Sequence, residues 1–122
     1  MAEGDLMSDN PLPLWHVTLT VAGEPYDVDG LRSGLDRLVV ERPFMLSVRY
    51  DATRAELRYW DEAEDVDDAA ALALRLWGDH RVSCELPAWR VVGLEVLDRE
   101  TVRSRGAGRP ATPLVAAGVA PF

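Results

Sequence analysis

His16, Arg58, Trp60 and Glu95 are the residues of this sequence whose types could do chemistry together. A carboxylate beside an imidazole favours the charged ring, and the ring can stack on an indole. With Glu95 as the orienting acid, His16 could serve as a general base. With Arg58 and Arg49 beside it, the same group could hold a small anion. The four residues come from three distant segments, so any such site depends on the elements that bring them together.

Those elements follow from the order of hydrophobic periods. A strand-like stretch, Leu14–Ala22, is followed by a helix-like one, Val28–Glu41. Two short strand-like runs come next, at 44–50 and 55–61. A second helix over 66 to about 85 and a last strand over 89–98 complete the series. The order β-α-β-β-α-β predicts an α+β, ferredoxin-like domain over residues 14–105. Its four-stranded antiparallel sheet has the order 4-1-3-2, with both helices on one face. Residues 1–13 read as disordered, with Pro11 and Pro13 delivering an extended chain into the first strand. Residues 106–122 read as a flexible tail containing Pro and Gly. The alternative for the tail is that its apolar end, 114–122, docks on the sheet.

In this topology the helix-covered face takes Val17, Leu19, Val21, Leu46, Val48, Leu57, Tyr59, Val92, Leu94 and Val96. The open face takes His16, Thr18, Thr20, Ser47, Arg49, Glu56, Arg58, Trp60, Val91, Glu95 and Leu97. With strand ends aligned, His16 faces Trp60, Thr18 faces Arg58, and Glu95 comes near His16 from the other side. Such a mixture is also what a solvated or dimer-facing sheet carries. Trp60, Trp89, Val91 and Leu97 make it too apolar to be fully solvated, and that tips the balance toward an interface. The expected function is therefore a non-enzymatic protein-interaction or regulatory binding module, homodimeric through the open face. Its interface or ligand-binding residues would be His16, Thr18, Arg49, Arg58, Trp60, Trp89, Val91 and Glu95, with none of them catalytic. The competing expectation is a small-ligand binder or small enzyme working around His16, Glu95, Arg58 and Trp60.

Composition removes other classes. The 122 residues suffice for one domain with a modest core. Residues 1–98 hold 9 Arg against 20 acids, net −11, and residues 99–122 hold 4 Arg against Glu100, net +3. A body this acidic repels phosphate backbones, so no nucleic-acid partner is expected. No apolar run approaches a bilayer span, and the acidic start resembles no targeting signal, so a cytoplasmic protein without a membrane partner is expected. The chain has no Lys, Ile or Gln, and its 13 basic residues are all Arg, as in a product of a GC-rich bacterial genome. Lysine Schiff-base and P-loop chemistry are thereby excluded. A lone cysteine, Cys84, excludes an intrachain disulfide and a zinc site built from several cysteines.

Two further patterns carry groups that could bind a metal ion. The six acids within 61–68 lack the spacing of a calcium loop and suit a helix N-terminus without any ion. His80 and Cys84, four apart on a helix, offer only two ligands; the reading is a helix end with a partly buried thiol, and no cofactor or metal is expected. No G-x-S-x-G, G-x-G-x-x-G or P-loop pattern occurs. Inside the first helix, Gly30 and Gly34 lie four apart on one face; the expected reading is that packing of the leucine stripe tolerates them, and the alternative is that they let that face approach a neighbour closely. The stretch Asp29-Gly30-Leu31-Arg32-Ser33-Gly34-Leu35 resembles the D-x-P-G-L-L opening of the first helix of ACT domains. Those are βαββαβ regulatory modules that usually bind small ligands, often amino acids, at dimer interfaces. The family's Pro is absent before Gly30 and the preceding loop is longer, so the resemblance assigns no ligand residues here.

Overall fold

Asp27 and Asp65 start the two main helices. In the computed structural model, which describes residues 12–106 and 118–122, the Asp27 carboxylate accepts from the Gly30 N–H at 2.8 Å. Asp65 accepts from the Asp68 N–H at the same distance, so each aspartate satisfies a backbone donor that the helix itself leaves unpaired. Helix α1 (Val28–Glu41) buries Leu31, Gly34, Leu35 and Leu38. Helix α2 (Val66–Arg81) buries Ala69, Ala73, Leu76 and Trp77. Both stripes lie on the sheet face built by Val17, Leu19, Val21, Val48, Leu57 and Tyr59, all fully buried.

Among the described residues the fold is α+β, with three helices and one mixed five-stranded sheet. The strands are β1 (Leu14–Ala22), β2 (Met45–Asp51), β3 (Arg54–Glu62), β4 (Arg90–Asp98) and β5 (Val119–Pro121), in the order β4-β1-β3-β2-β5. The first four pair antiparallel in the expected order 4-1-3-2. The expectation of a purely antiparallel four-stranded sheet needs correction: β5 adds to β2 in parallel, setting Val48 beside Val119 and Tyr50 beside Pro121. Three tail residues are thus a strand. Val48 N–H donates to the Gly118 carbonyl and Phe122 N–H to the Tyr50 carbonyl, each at 3.0 Å. The rest of the tail reading, over 107–117, and the disorder expected for 1–11 concern residues outside those described.

Helix α3 (Arg99–Gly106) follows β4 directly, where the sequence showed only rising charge. Thr101 N–H donates to the Asp98 carboxylate at 2.7 Å, which starts the helix. Helix α2 passes Gly78 as expected but stops at Arg81, short of 85. Glu85, at φ 55°, turns the chain left-handed, and the Leu86 N–H closes back on the Arg81 carbonyl at 2.8 Å.

Two bulges shift the alternation of side chains. Between β2 and β3 the register slips between Met45 and Ser47. Met45 enters the core at 8% exposure, while Phe44 and Leu46 stay out at 63% and 37%. Phe44 also carries a φ of 66°, unusual for a bulky residue and consistent with a chain forced through a sharp bend at Pro43. Between β1 and β4 the register slips at Thr20/Val21, so Val21 meets Val91. Val91 then packs against the core, and Val92 is 53% exposed. The assignments of Leu46 and Val92 to the helix-covered face, and of Val91 to the open face, are corrected accordingly. No helix among the described residues is long and apolar enough to cross a membrane.

Candidate functional site

On the open face the expected β1/β3 pairs form. His16 stands opposite Trp60 and Thr18 opposite Arg58. The His16 and Trp60 rings meet edge to face, centroids 5.2 Å apart and planes 77° apart, a favourable aromatic geometry. Across β4, Glu95 is opposite Thr18 and Leu97 opposite His16. Arg49 stands opposite Glu56, to which Arg58 Nε also reaches at 3.7 Å. His16, Thr18, Arg49, Arg58, Trp60 and Glu95 therefore share one face.

Trp89 and Val91 do not join them. Trp89 is 6% exposed, stacks on Trp77, and donates its indole N–H to the Glu24 carbonyl at 2.8 Å. It precedes β4, so strand alternation does not govern its direction. Val91 faces inward through the bulge. Their loss leaves Trp60 and Leu97 as the larger apolar groups of the expected patch.

Helix α3 also reaches this face. Arg105 Nη1 contacts Glu95 Oε2 at 3.2 Å, so Glu95 is engaged by a guanidinium rather than by the imidazole. His16 Nδ1 is buried and has no hydrogen-bond partner among the described residues. Burial pushes the imidazole pKa below its ordinary value, Arg58 lowers it further, and Glu95 opposes both. With Nδ1 lacking a partner and Glu95 engaged by Arg105, His16 and Glu95 do not form a hydrogen-bonded pair among the described residues.

A second constellation lies on the other side of the molecule, where α1 meets the loop after α2. A half-open pocket of about 180 Å³ is lined by Tyr26, Gly30, Ser33, Gly34, Arg37, Cys84 and Glu85. Roughly 150 Å³ holds a benzene-sized molecule. A Cβ on Gly34 would lie 2.7 Å from both the Cys84 carbonyl oxygen and Leu86 Cδ2. At Gly34 the alternative reading holds, since the loop after α2 approaches that position closely. Arg37 Nη1 donates to the Ser83 carbonyl at 3.1 Å and to Glu85 Oε2 at 3.3 Å. Tyr26 closes the third side, its hydroxyl 3.5 Å from the Glu85 carbonyl.

Tyr26, Ser33, Arg37 and Glu85 lie away from the open face to which strand alternation pointed. Arg37 and Ser33 were within reach of sequence, since Arg37 lies one turn from Gly34 and Ser33 one turn from Gly30 on the same helix. Glu85 was not, because its position depends on a left-handed turn after a helix end that periodicity placed elsewhere.

The chain belongs to the family described as Domain of unknown function (DUF8830), which matches residues 14–113. Neither a curated protein nor a solved structure matches it.

Proposed function

We propose that this protein is a non-enzymatic, cytoplasmic regulatory binding module that takes a small zwitterionic metabolite, such as an amino acid, in the pocket between α1 and the Ser83–Glu85 turn. The observation that carries the reading is the Arg37–Glu85 pair at 3.3 Å on the wall of that pocket. Both side chains are more than half exposed, so their mutual attraction is weak and either can change partner. A ligand carboxylate would take Arg37 and a ligand ammonium would take Glu85, exchanging one exposed pair for two charge-assisted contacts.

A thermal-shift screen of amino acids and related zwitterions tests it. At least one compound is expected to raise the melting temperature of the native chain and to fail with Arg37→Ala and with Glu85→Ala. A screen without hits, or a hit that survives both substitutions, overturns the proposal.

A second reading, homodimerisation through the open face, is supported by His16 Nδ1 beside Trp60, a buried polar atom with no hydrogen-bond partner among the described residues. It is tested by light scattering. A dimer that Trp60→Glu converts to a monomer supports it, and a monomer at tens of micromolar removes it.

A further inference from the structure

We propose that Glu41, His80 and Cys84 form a divalent transition-metal site that takes Zn²⁺ through one thiolate, one imidazole and one carboxylate, with the fourth position open to water. The site shares Cys84 with the wall of the Arg37–Glu85 pocket but uses neither member of that ion pair, and it does not depend on that reading.

The sequence offers only His80 and Cys84 at helical spacing, too few donors for a site. The fold supplies the third, from the last residue of α1, 39 positions before His80. Glu41 Oε1 lies 2.8 Å from His80 Nδ1 and 3.3 Å from Cys84 Sγ. The three donor atoms all fall within 4.8 Å of one another. Zinc bonds of about 2.0–2.3 Å in a tetrahedron place ligand atoms roughly 3.4 Å apart. The Glu41–His80 contact therefore needs to open by about 0.6 Å, within the reach of two partly exposed side chains, while the Glu41–Cys84 spacing needs almost no change.

The donor set suits zinc. A thiolate and an imidazole select borderline-soft ions over calcium or magnesium. With one thiolate, one carboxylate and one neutral imidazole, the ligand charges sum to −2 and cancel the ion, which removes the cost of holding a bare charge beside the buried Cys84. Three protein ligands with one position free is the arrangement of an open zinc centre. The ion also has a way in: Glu41 and Ser83 line a surface cavity with Asp36, Arg37 and Val40.

Ligation changes the hydrogen bonding in a defined way. The thiol proton of Cys84 leaves to solvent as the sulfur–metal bond forms. His80 gives up its Nδ1 proton and carries one on Nε2, leaving the Nδ1 lone pair for the metal. Glu41 exchanges the His80 and Cys84 contacts for the metal and keeps the Ser83 hydroxyl, 2.8 Å away, as an orienting donor.

Co²⁺ is the probe, added to the full chain after chelator treatment. Tetrahedral binding gives strong visible d–d absorption. The lone cysteine means that any thiolate-to-cobalt band in the near ultraviolet reports Cys84. Both signals are expected, and Zn²⁺ is expected to displace them. Cys84→Ser should abolish the thiolate band. His80→Ala and Glu41→Gln should each weaken Co²⁺ binding at least about tenfold, with circular dichroism unchanged, while Ser83→Ala should retain the thiolate band. Because the buried Cys84 variant can fail to fold, the His80 variant at the surface carries the decision independently. Absence of a thiolate band at saturating Co²⁺, or unchanged affinity in His80→Ala, overturns the site.

Discussion

The indoles of Trp77 and Trp89 lie parallel, 6.1 Å between centroids and 5° between planes, and each N–H is satisfied by a backbone carbonyl. Trp77 donates to Pro87 at 2.9 Å and Trp89 to Glu24 at 2.8 Å. The pair joins α2 to the segment entering β4 and to the loop after β1. The fit is close, since a Cβ on Gly23 would overlap Trp89 Cδ1. Trp89→Ala is therefore expected to cost about 3–5 kcal/mol, as for truncation of a core aromatic, by urea unfolding. A cost below about 1 kcal/mol, the range for surface substitutions, would put the ring back on an open face.

Gly34 and Gly78 are expected to respond to alanine in opposite directions. Both are in helices, where Ala is favoured over Gly by about 1 kcal/mol. A Cβ at Gly78 meets nothing within 4 Å, so Gly78→Ala should stabilise by about 0.4–1 kcal/mol. At Gly34 it meets the Cys84 carbonyl and Leu86, so Gly34→Ala should destabilise despite the same propensity gain. Paired denaturation curves check this. Stabilisation at both sites would show that the loop yields freely.

His16 gives stability a defined pH dependence. Its folded-state pKa is lowered from 6.5, chiefly by burial and then by Arg58. As pH falls through 6.5 the unfolded chain takes up the proton first. This contribution is thus fully present above 6.5 and is lost as pH drops toward the folded-state midpoint. Proton NMR should place the His16 midpoint below 6.5. Arg58→Ala should raise it and Glu95→Gln should lower it further. A wild-type midpoint above 6.5 would show that Glu95 dominates the ring.

Removal of residues 118–122 is expected to cost about 2–4 kcal/mol, from ladder hydrogen bonds worth about 1 kcal/mol each together with the packing of Val119 on the core. Thermal melting and size-exclusion sizing of the truncated chain check this. A loss below about 1 kcal/mol would be the behaviour of a tail that contributes nothing.

Much of the framework was legible because strong periods dictated it. The bounds of β1 and α1, the order of four strands and the facing of His16 with Trp60 all followed from alternation and helical spacing. What alternation cannot carry is a change of phase. Each bulge inserts one residue and reverses everything beyond it, which is why Met45 and Leu46, and Val91 and Val92, exchanged places. Trp89 lies just outside its strand, where no period applies. The pocket and the Glu41–His80–Cys84 cluster depend on how the end of α2 turns at Glu85, a tertiary feature with no local signature. Strand β5 is too short, and too rich in Pro and Gly nearby, to stand out before β2 offers it an edge.

The late position of β5 sets a timetable for biosynthesis. Val119 follows Asp51 by 68 residues, so β2 emerges from the ribosome well before the strand that flanks it. At about 5–20 residues per second, its outer backbone amides wait roughly 3–14 s for their partners. During that interval the nascent chain displays an uncovered strand edge of the kind that recruits other strands. This is the period in which chaperone contact would matter most, and it closes only when β5 docks.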